Sequence, residues 1–359
     1  MRIDRVLAAP DKFKGTLSAA DAAAAIGHAC WELGLDCVER PMADGGDGLV
    51  EVLGGPTRTS TVTGPLGDPV EAEWRLAGDT AVIELAAASG LVLAGGASGN
   101  RPLDATTTGT GELIDLALDA GARRIIVGLG GSATTDGGFG ALRAIHTPAR
   151  LKAVELLVAC DVETVFADAP SVFGPQKGAS TTQITMLERR LDRLAQMYAE
   201  EFDVDVANLA GGGAAGGLGA ALAALGGRLL PGVELVAEEV GIFDLLDPEV
   251  DVAERIDLVV TGEGKLDRTS FDGKVVGGIA EIAADVDVPV VAVAGEIDGL
   301  DELVRDDRHL RQVEVTGRPE LLAAVSLVSD HGHEMAMDEP MRSVERSTSS
   351  MLQRLLDAD

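Results

Sequence analysis

Lysine is rare in this chain, and most of its lysines stand beside glycine-rich segments. Only six residues are lysine, and five of them lie in the segments DKFKG, GPQKG, TGEGK and FDGK. A compact ammonium group beside bare backbone suits the binding of phosphate or carboxylate. Lys-Gly pairs also occur at ordinary helix ends, where a cation and a glycine are both favoured. Five such placements among six lysines favour anion binding.

Carboxylates stand in the same kind of glycine-containing loop, several of them directly after an apolar run. These acids are Asp44, Asp47, Asp161, Glu263 and Asp267. Phosphoryl transfer uses carboxylates to hold Mg²⁺ and to accept the proton of the substrate hydroxyl. In a chain with 59 acidic residues, each of them is also a candidate helix cap or solvated charge. Proximity to glycine and to an apolar strand favours function for Asp44, Glu263 and Asp267.

The segment GLGGSATTDGG at 128–138 has the strongest phosphate-binding pattern. It lies between an apolar strand and a helical segment, so backbone N–H groups and the helix dipole would converge on one point. The predicted phosphate ligands are Gly130, Gly131, Ser132, Thr134, Thr135, Gly137 and Gly138. Asp136 is a candidate Mg²⁺ ligand, or the cap of a plain strand-to-helix turn. The chain has no GxxxxGK[ST] P-loop and no GxGxxG after its first strand.

Strand patterns alternate with helix patterns along most of the chain, which predicts an α/β fold with largely parallel sheets. Ligands of such folds bind at the carboxyl ends of the strands. The predicted strands are 5–10, 123–130, 154–161, 257–264 and 288–295, with antiparallel strands over 57–84. The predicted helices are 18–33, 109–120, 137–145, 184–201 and 340–356. The HGHE segment at 331–334 lacks metal-site spacing and is predicted to be a loop.

The overall composition excludes several classes of protein. Asp and Glu total 59 against 29 Lys and Arg, a net charge of −30 that opposes binding to nucleic acid or anionic membranes. No apolar run is long enough for a membrane span, and the N-terminus has no signal-peptide pattern. The three cysteines form no CxxC pair, which indicates reduced thiols and a cytoplasmic location.

The same negative charge suggests a halophile's enzyme. A content of 46% hydrophobic residues argues for a packed core despite the self-repulsion, and molar salt would screen that repulsion within roughly 3 Å. Circular dichroism showing a better fold at low salt than in molar KCl would contradict this hypothesis.

Long motifs in the first 295 residues resemble the bacterial type of glycerate kinase, the glycerate 2-kinase family. The resemblance is carried by APDKFKGTLSA, PMADGGDG, IELAAASGL, RPLDATTTGTGELI, IIVGLGGSATTDGG, VFGPQKGA, GGGAAGGLGAAL and DLVVTGEGKLD. Members of this family phosphorylate glycerate with ATP and Mg²⁺, usually at the 2-hydroxyl. The chain departs from the family between Leu142 and Val154, where it is shorter than usual.

The resemblance also implies a domain organisation. It implies a discontinuous outer α/β domain, assigned to residues 1–60 and 285–359, and an inserted flavodoxin-like α/β domain at 61–284. The active site is expected in the cleft between them.

The resemblance implies roles for the candidate residues. Lys12 and Lys14 would contact the glycerate carboxylate or the transferred phosphate, and Asp44 and Asp267 would serve in catalysis. Asp47 and Asp136 are the candidate metal ligands, and Glu263 and Lys265 would complete the nucleotide site. The residues do not decide which acid is the base.

Two other functions remain open on the sequence. One is a kinase of the same fold for another short hydroxy acid or sugar acid, since pocket residues set the choice of substrate. The other is a non-catalytic nucleotide or phosphate sensor that has kept the loops. Self-association into a homo-oligomer is compatible with the sequence.

Overall fold

The computed structural model describes residues 2–299, 304–307, 310–313 and 321–357. Its contacts divide the chain into two compact units. The outer unit comprises Met1–Asp44 and Val233–Asp359, and the inserted unit comprises Gly45–Gly232. Within the described residues, no helix is both long enough and apolar enough to cross a membrane.

The strands of both units are numbered in chain order. They are β1 (Arg5–Pro10), β2 (Asp36–Glu39), β3 (Arg58–Thr63), β4 (Pro69–Ala77), β5 (Thr80–Glu84), β6 (Arg124–Gly128), β7 (Glu155–Ala159), β8 (Arg228–Leu230), β9 (Leu258–Leu266), β10 (Val290–Ile297), β11 (Val304–Asp307), β12 (Leu310–Val313) and β13 (Leu321–Ser326).

The α-helices are numbered in the same way. They are α1 (Ala19–Glu32), α2 (Leu49–Val52), α3 (Ala86–Ser89), α4 (Gly96–Gly99), α5 (Thr108–Asp119), α6 (Phe139–Ala144), α7 (Ala169–Phe173), α8 (Thr181–Phe202), α9 (Ala214–Ala224), α10 (Gly232–Glu239), α11 (Ile242–Leu245), α12 (Val275–Ala284), α13 (Leu327–His331), α14 (His333–Asp338) and α15 (Pro340–Asp357).

The outer unit is built on one sheet with the strand order β11-β12-β13-β10-β9-β1-β2. The strands from β13 to β2 are parallel, and β11 and β12 add an antiparallel hairpin at one edge. After β1 the chain first adds β2 on one side, and it later adds β9, β10 and β13 on the other. The strand order therefore reverses at β1. In open α/β sheets, ligands bind outside the carboxyl ends of the strands at such a reversal.

Helix α1 shows why this sequence folds locally as predicted. Its alanine-rich sequence has high helix propensity, and the Ser18 side chain accepts a hydrogen bond from the Asp21 amide as an N-cap. Its buried face, which includes Ile26 and Cys30, packs in the core that also holds Val344 and Leu352 of α15.

The inserted unit has a second sheet, with the order β3-β4-β5-β6-β7-β8. Strands β3 to β5 are antiparallel, and β5 to β8 are parallel. The predicted α/β class, with two largely parallel sheets and a discontinuous outer part, is confirmed. The period-two segment at 57–84 forms the predicted antiparallel strands.

The division into units differs from the boundaries predicted at 60/61 and 284/285. The structure assigns residues 45–60 to the inserted unit because β3 pairs with β4. It assigns 233–284 to the outer unit because β9 pairs with both β1 and β10. An apolar parallel strand does not indicate which sheet it joins, so the sequence could not place β9.

The HGHE segment is also different from its prediction. Residues 331–334 contribute to two short helices, α13 and α14, joined at Gly332. His331 lies close to Ser347 of α15, with 3.0 Å between Nε2 and Oγ. The segment therefore belongs to the helical packing of the outer unit.

Candidate active site

Three carboxylates lie at the carboxyl edge of the outer sheet, where the strand order reverses. Asp11 follows β1, Asp44 lies five residues after β2, and Glu263 lies within β9. The amide of Asp11 donates to the Gly262 carbonyl at 2.8 Å, and the amide of Met42 donates to the Pro10 carbonyl at 2.9 Å. These backbone bonds fix the three acidic segments on adjacent strands. Asp11, Asp44 and Glu263 are called the acid centre below.

Glu263 is the most buried member of the acid centre. The residue is 8% exposed, and its Oε1 atom has no hydrogen-bond partner in the structure. Burial raises the pKa of Glu263 to about 7; the charges of Asp267 and Asp44 add to this rise, whereas a hydrogen bond with Ser270 and the charge of Lys274 oppose it. The chain's own donors and cations therefore compensate this carboxylate incompletely.

Asp11 is half-buried, and its Oδ1 atom accepts a hydrogen bond from the Lys12 amide at 2.7 Å. Burial raises its pKa to about 7, the charge of Asp44 adds to the rise, and the Lys12 amide and ammonium oppose it. The sequence predictions did not include Asp11, although it begins the DKFKG segment. Its position directly after an apolar strand was the signal that could have identified it.

Asp267, a predicted catalytic acid, is engaged in local structure. Its Oδ1 atom accepts hydrogen bonds from the Thr269 amide at 2.8 Å and from the Thr269 hydroxyl at 2.6 Å. These bonds cap the 3₁₀ turn Arg268–Phe271 and hold the pKa of Asp267 below its usual value. This geometry favours a capping role for Asp267.

The predicted lysines of the outer unit have different surroundings. Lys12 is half-buried and Lys14 is exposed. The backbone of Lys14 lies so close to Gly264 that a Cβ atom there would be 3.2 Å from the Lys14 amide nitrogen. Lys265 is exposed and forms an ion pair with Asp298 at 2.7 Å. Lys12 and Lys14 therefore lie in the segment next to Asp11, close to β9, whereas Lys265 is paired with Asp298 at the surface.

In the inserted unit, the glycine loop at 130–138 packs closely into the protein. Residues 132–138 are buried, and only Gly130 and Gly131 are partly or fully exposed. The Thr134 hydroxyl donates to the Ala215 carbonyl at 3.1 Å, and the Gly137 amide donates to the Gly216 carbonyl at 3.0 Å. Most of the predicted phosphate ligands therefore support the loop from within, and the exposed backbone of Gly130 and Gly131 is what remains available.

The Asp136 carboxylate accepts hydrogen bonds from residues at the start of both α5 and α6. It accepts hydrogen bonds from the Thr107 amide and hydroxyl, both at 2.9 Å, and from the Gly138 and Gly140 amides, both at 3.1 Å. Both of its oxygens are occupied by these contacts. The geometry therefore supports the capping alternative rather than the predicted Mg²⁺ ligand.

The ADGGDG segment brings Asp47 beside this loop. A Cβ atom at Gly130 would lie 2.5 Å from the Gly46 Cα and 3.5 Å from the Asp47 amide nitrogen. The Glu84 carboxylate accepts hydrogen bonds from the Gly48 amide at 3.1 Å and from the amide of Val50 at 2.8 Å. The exposed Asp47 is thus held next to the exposed end of the glycine loop.

Lys177 lies beneath the same loop and was not among the predicted site residues. It is 3% exposed, and its ammonium donates to the Ser132 hydroxyl at 2.8 Å and to the Thr134 carbonyl at 2.7 Å. Burial lowers the pKa of Lys177 to about 7, and the charge of Asp136 partly offsets this effect. Asn100 donates to the backbone carbonyls of Lys177 and Ala133, which ties the two segments together.

A separate cavity of about 550 Å³ lies in the inserted unit, lined in part by Thr106, Phe139, Arg143, His146 and Arg190. Arg143 stands over the Phe139 ring, and the Arg190 guanidinium donates to a main-chain carbonyl. The cations around this cavity are therefore engaged in packing and backbone contacts.

Comparison with known proteins decides the family. The model described as "Glycerate kinase family" matches residues 6–149 and 146–335. The glycerate 2-kinase of Escherichia coli K12 is 39% identical to this chain, and the glycerate kinase of Bacillus subtilis 168 is 40% identical. Each alignment covers 82% of this chain and 85% of the relative. The chain belongs to the glycerate kinase family.

A solved structure supports the fold as well. The crystal structure of a putative glycerate kinase 2 from Salmonella typhimurium LT2 superposes with a TM-score of 0.79 at 35% identity, covering 99% of this chain and 98% of that one. The glycerate kinase model matches in two parts that overlap at 146–149. This junction between the two parts lies in the shortened segment between Leu142 and Val154. Membership of the glycerate kinase family makes the chain a kinase, as the sequence predicted.

Lys177 gives this glycerate kinase family member a testable pH dependence. Between pH 7 and 10.5 the folded protein has lost the Lys177 proton, whereas the unfolded chain keeps it. Since the unfolded state then binds more protons, the wild-type free energy of unfolding rises with pH across this window. Below pH 7 the full cost of burying the charge remains.

Lys177→Met removes this titration while keeping an apolar stem. We expect the difference in the free energy of unfolding, variant minus wild type, to be largest below pH 7. This difference should decrease as the pH approaches 10.5. Urea unfolding across this pH range measures the difference. Lys152→Met, which removes an exposed lysine of the same unit, is the control. A difference for Lys177→Met that does not change with pH would contradict the lowered pKa of Lys177.

Proposed function

We propose that the chain transfers the γ-phosphoryl group of ATP to the 2-hydroxyl of D-glycerate, giving 2-phosphoglycerate and ADP. The observation that carries this proposal is the acid centre at the strand-order reversal of the outer sheet. The name of the Escherichia coli relative, glycerate 2-kinase, supports the choice of substrate and hydroxyl.

Asp44 is our candidate for the group that accepts the proton of the substrate hydroxyl. It is less buried than Glu263, whereas the Asp267 carboxylate caps the 3₁₀ turn that follows it. Phosphoryl transfer depends mainly on positioning and charge stabilisation. Lys12 and Lys14 would contribute the positive charge, through contacts with the glycerate carboxylate or the transferred phosphate.

ATP phosphates would contact the exposed backbone of Gly130 and Gly131, next to Asp47. Exposed backbone N–H groups at a glycine turn are a common means of binding phosphate. The buried groups of Ser132, Thr134 and Lys177 would hold this turn in place. Mg²⁺ would neutralise phosphate charge when it is bound, and carboxylate oxygens of this chain would hold it. Free Cys30, Cys37 and Cys160 support a reducing, cytoplasmic setting.

Phosphorus NMR of the product formed from D-glycerate and ATP tests the proposal. We expect ADP and a single phosphomonoester at the 2-position. Phosphate at the 3-position would contradict the assignment of the hydroxyl. Turnover only with other short hydroxy acids or sugar acids would favour the second kinase function, and absence of ADP release with every acceptor would favour the sensor.

A further inference from the structure

Two carboxylates of the acid centre, those of Asp11 and Glu263, are disfavoured as charged groups by burial and by the acids around them. Asp11 and Asp44 follow β1 and β2, Glu263 lies within the adjacent β9, and backbone bonds hold their segments together. Like charges at such a site repel one another, and burial adds the cost of removing water from each carboxylate. Proteins keep buried charges when these are paired or when they coordinate a metal ion.

Two lysines near the acid centre have partners outside it. The Lys274 ammonium donates to the Thr269 hydroxyl at 2.6 Å, and Lys265 is paired with Asp298. The Glu263 Oε1 atom, in a side chain that is more than nine-tenths buried, is left without a hydrogen-bond partner. A buried carboxylate oxygen without a donor can be satisfied by a bound cation or by an ordered water molecule.

We propose that Asp11 and Glu263 are protein ligands of a divalent cation such as Mg²⁺, with Asp44 kept beside them for the substrate. The proposal deepens the kinase function above by assigning the cation to residues other than Asp47 and Asp136. Its donor set fits, because Mg²⁺ takes oxygen ligands and is commonly held by one or two carboxylates, with substrate phosphates and water completing the shell. Asp136 is unsuited to this role, since its oxygens are occupied by backbone and hydroxyl donors.

Binding of Mn²⁺ to the full chain, without ATP or glycerate, tests this site directly. Electron paramagnetic resonance of the free ion measures the affinity, and molar KCl screens the diffuse attraction of the acidic surface. We expect one Mn²⁺ per chain to bind above the background and Mg²⁺ to compete for it. Asp11→Asn and Glu263→Gln should each weaken this binding by about tenfold or more, since the loss of an outer-shell partner alone commonly costs about tenfold.

Asp36→Asn is the matched control. It removes one charge from an exposed position at the amino end of β2, away from the carboxyl ends of the strands where the acid centre lies. This substitution should leave Mn²⁺ binding unchanged. Normal Mn²⁺ binding in both ligand variants would overturn the proposal. An equal loss in Asp36→Asn would also overturn it, because the ion would then be held by the surface charge as a whole.

Thermal unfolding gives a second measurement on the same proteins. Mg²⁺ should raise the unfolding temperature of wild type by binding the folded state, and this rise should be smaller in both ligand variants. The two substitutions lie in different segments of the chain, so if one variant fails to fold, the other still tests the site. A chain that binds Mn²⁺ through Asp11 and Glu263 but phosphorylates no acceptor would contradict only the proposed function. A chain that phosphorylates glycerate while both variants bind Mn²⁺ normally would contradict only the cation site.

Discussion

Asp44→Asn is expected to lower kcat for D-glycerate by about 10²- to 10⁴-fold, the usual contribution of a positioned general base. The substitution preserves the shape of the side chain but removes the proton acceptor. Asp44 lies in the segment that the Met42 amide anchors to β1, so an isosteric amide should keep the backbone in place. KM for ATP should change much less than kcat, because the lost interaction belongs to the chemical step.

Asp267→Asn is the informative comparison, because Asp267 was an equal candidate on the sequence. Its carboxylate caps the turn after β9, and asparagine caps about as well as aspartate, so we expect little loss of stability and a smaller loss of kcat than in Asp44→Asn. Steady-state kinetics with D-glycerate and urea unfolding separate the two effects. Near-normal kcat in both variants would contradict the assignment of the acids, and a larger kcat loss in Asp267→Asn would exchange their roles.

The local part of the fold was predictable because it depends on neighbouring residues. Apolar runs gave β1 and β6 close to their observed bounds, and the Ser18 cap gave the start of α1. The sequence could not show which sheet β9 joins, because one of its two partner strands, β1, lies more than 240 residues away in the chain. This pairing moved the second domain boundary, whereas the pairing of β3 with β4 moved the first.

The site was predictable to the level of segments, but not to the level of individual roles. Glycine-flanked acids and lysines indicated the right loops. Whether a carboxylate binds a ligand or caps a helix depends on donors distant in the chain, as Thr107 shows for Asp136. The same applies to Lys177, whose burial depends on Ser132 and Thr134. Asp11 was overlooked because the lysines of the DKFKG segment drew the functional interpretation.

Gly216→Ala is expected to destabilise the inserted unit by about 3 to 5 kcal/mol, in the range of severe single substitutions. Gly216 has a φ of +67°, and a Cβ atom there would lie 2.0 Å from the Thr134 carbonyl oxygen and 2.5 Å from the Thr135 Cα. Both obstacles are backbone atoms, which cannot turn away as a side-chain end can. The two loops would have to separate, and the Thr134 carbonyl that accepts from Lys177 would move with them.

Gly226→Ala separates this clash from the conformational preference of glycine. Gly226 also has a positive φ, of +96°, but nothing lies within 4 Å of the Cβ position, so its loss should be about 1 to 2 kcal/mol. Urea unfolding followed by Trp74 fluorescence, in a Trp31→Phe background, reports on the inserted unit because Trp74 is buried in its core and the exposed Trp31 belongs to the outer unit. Equal losses in the two variants would show that positive φ, and not the contact with Thr134, requires glycine. A larger loss in Gly216→Ala, accompanied by a higher KM for ATP, would show that the GGGAAGGLG segment at 211–219 supports the phosphate loop through direct backbone contact.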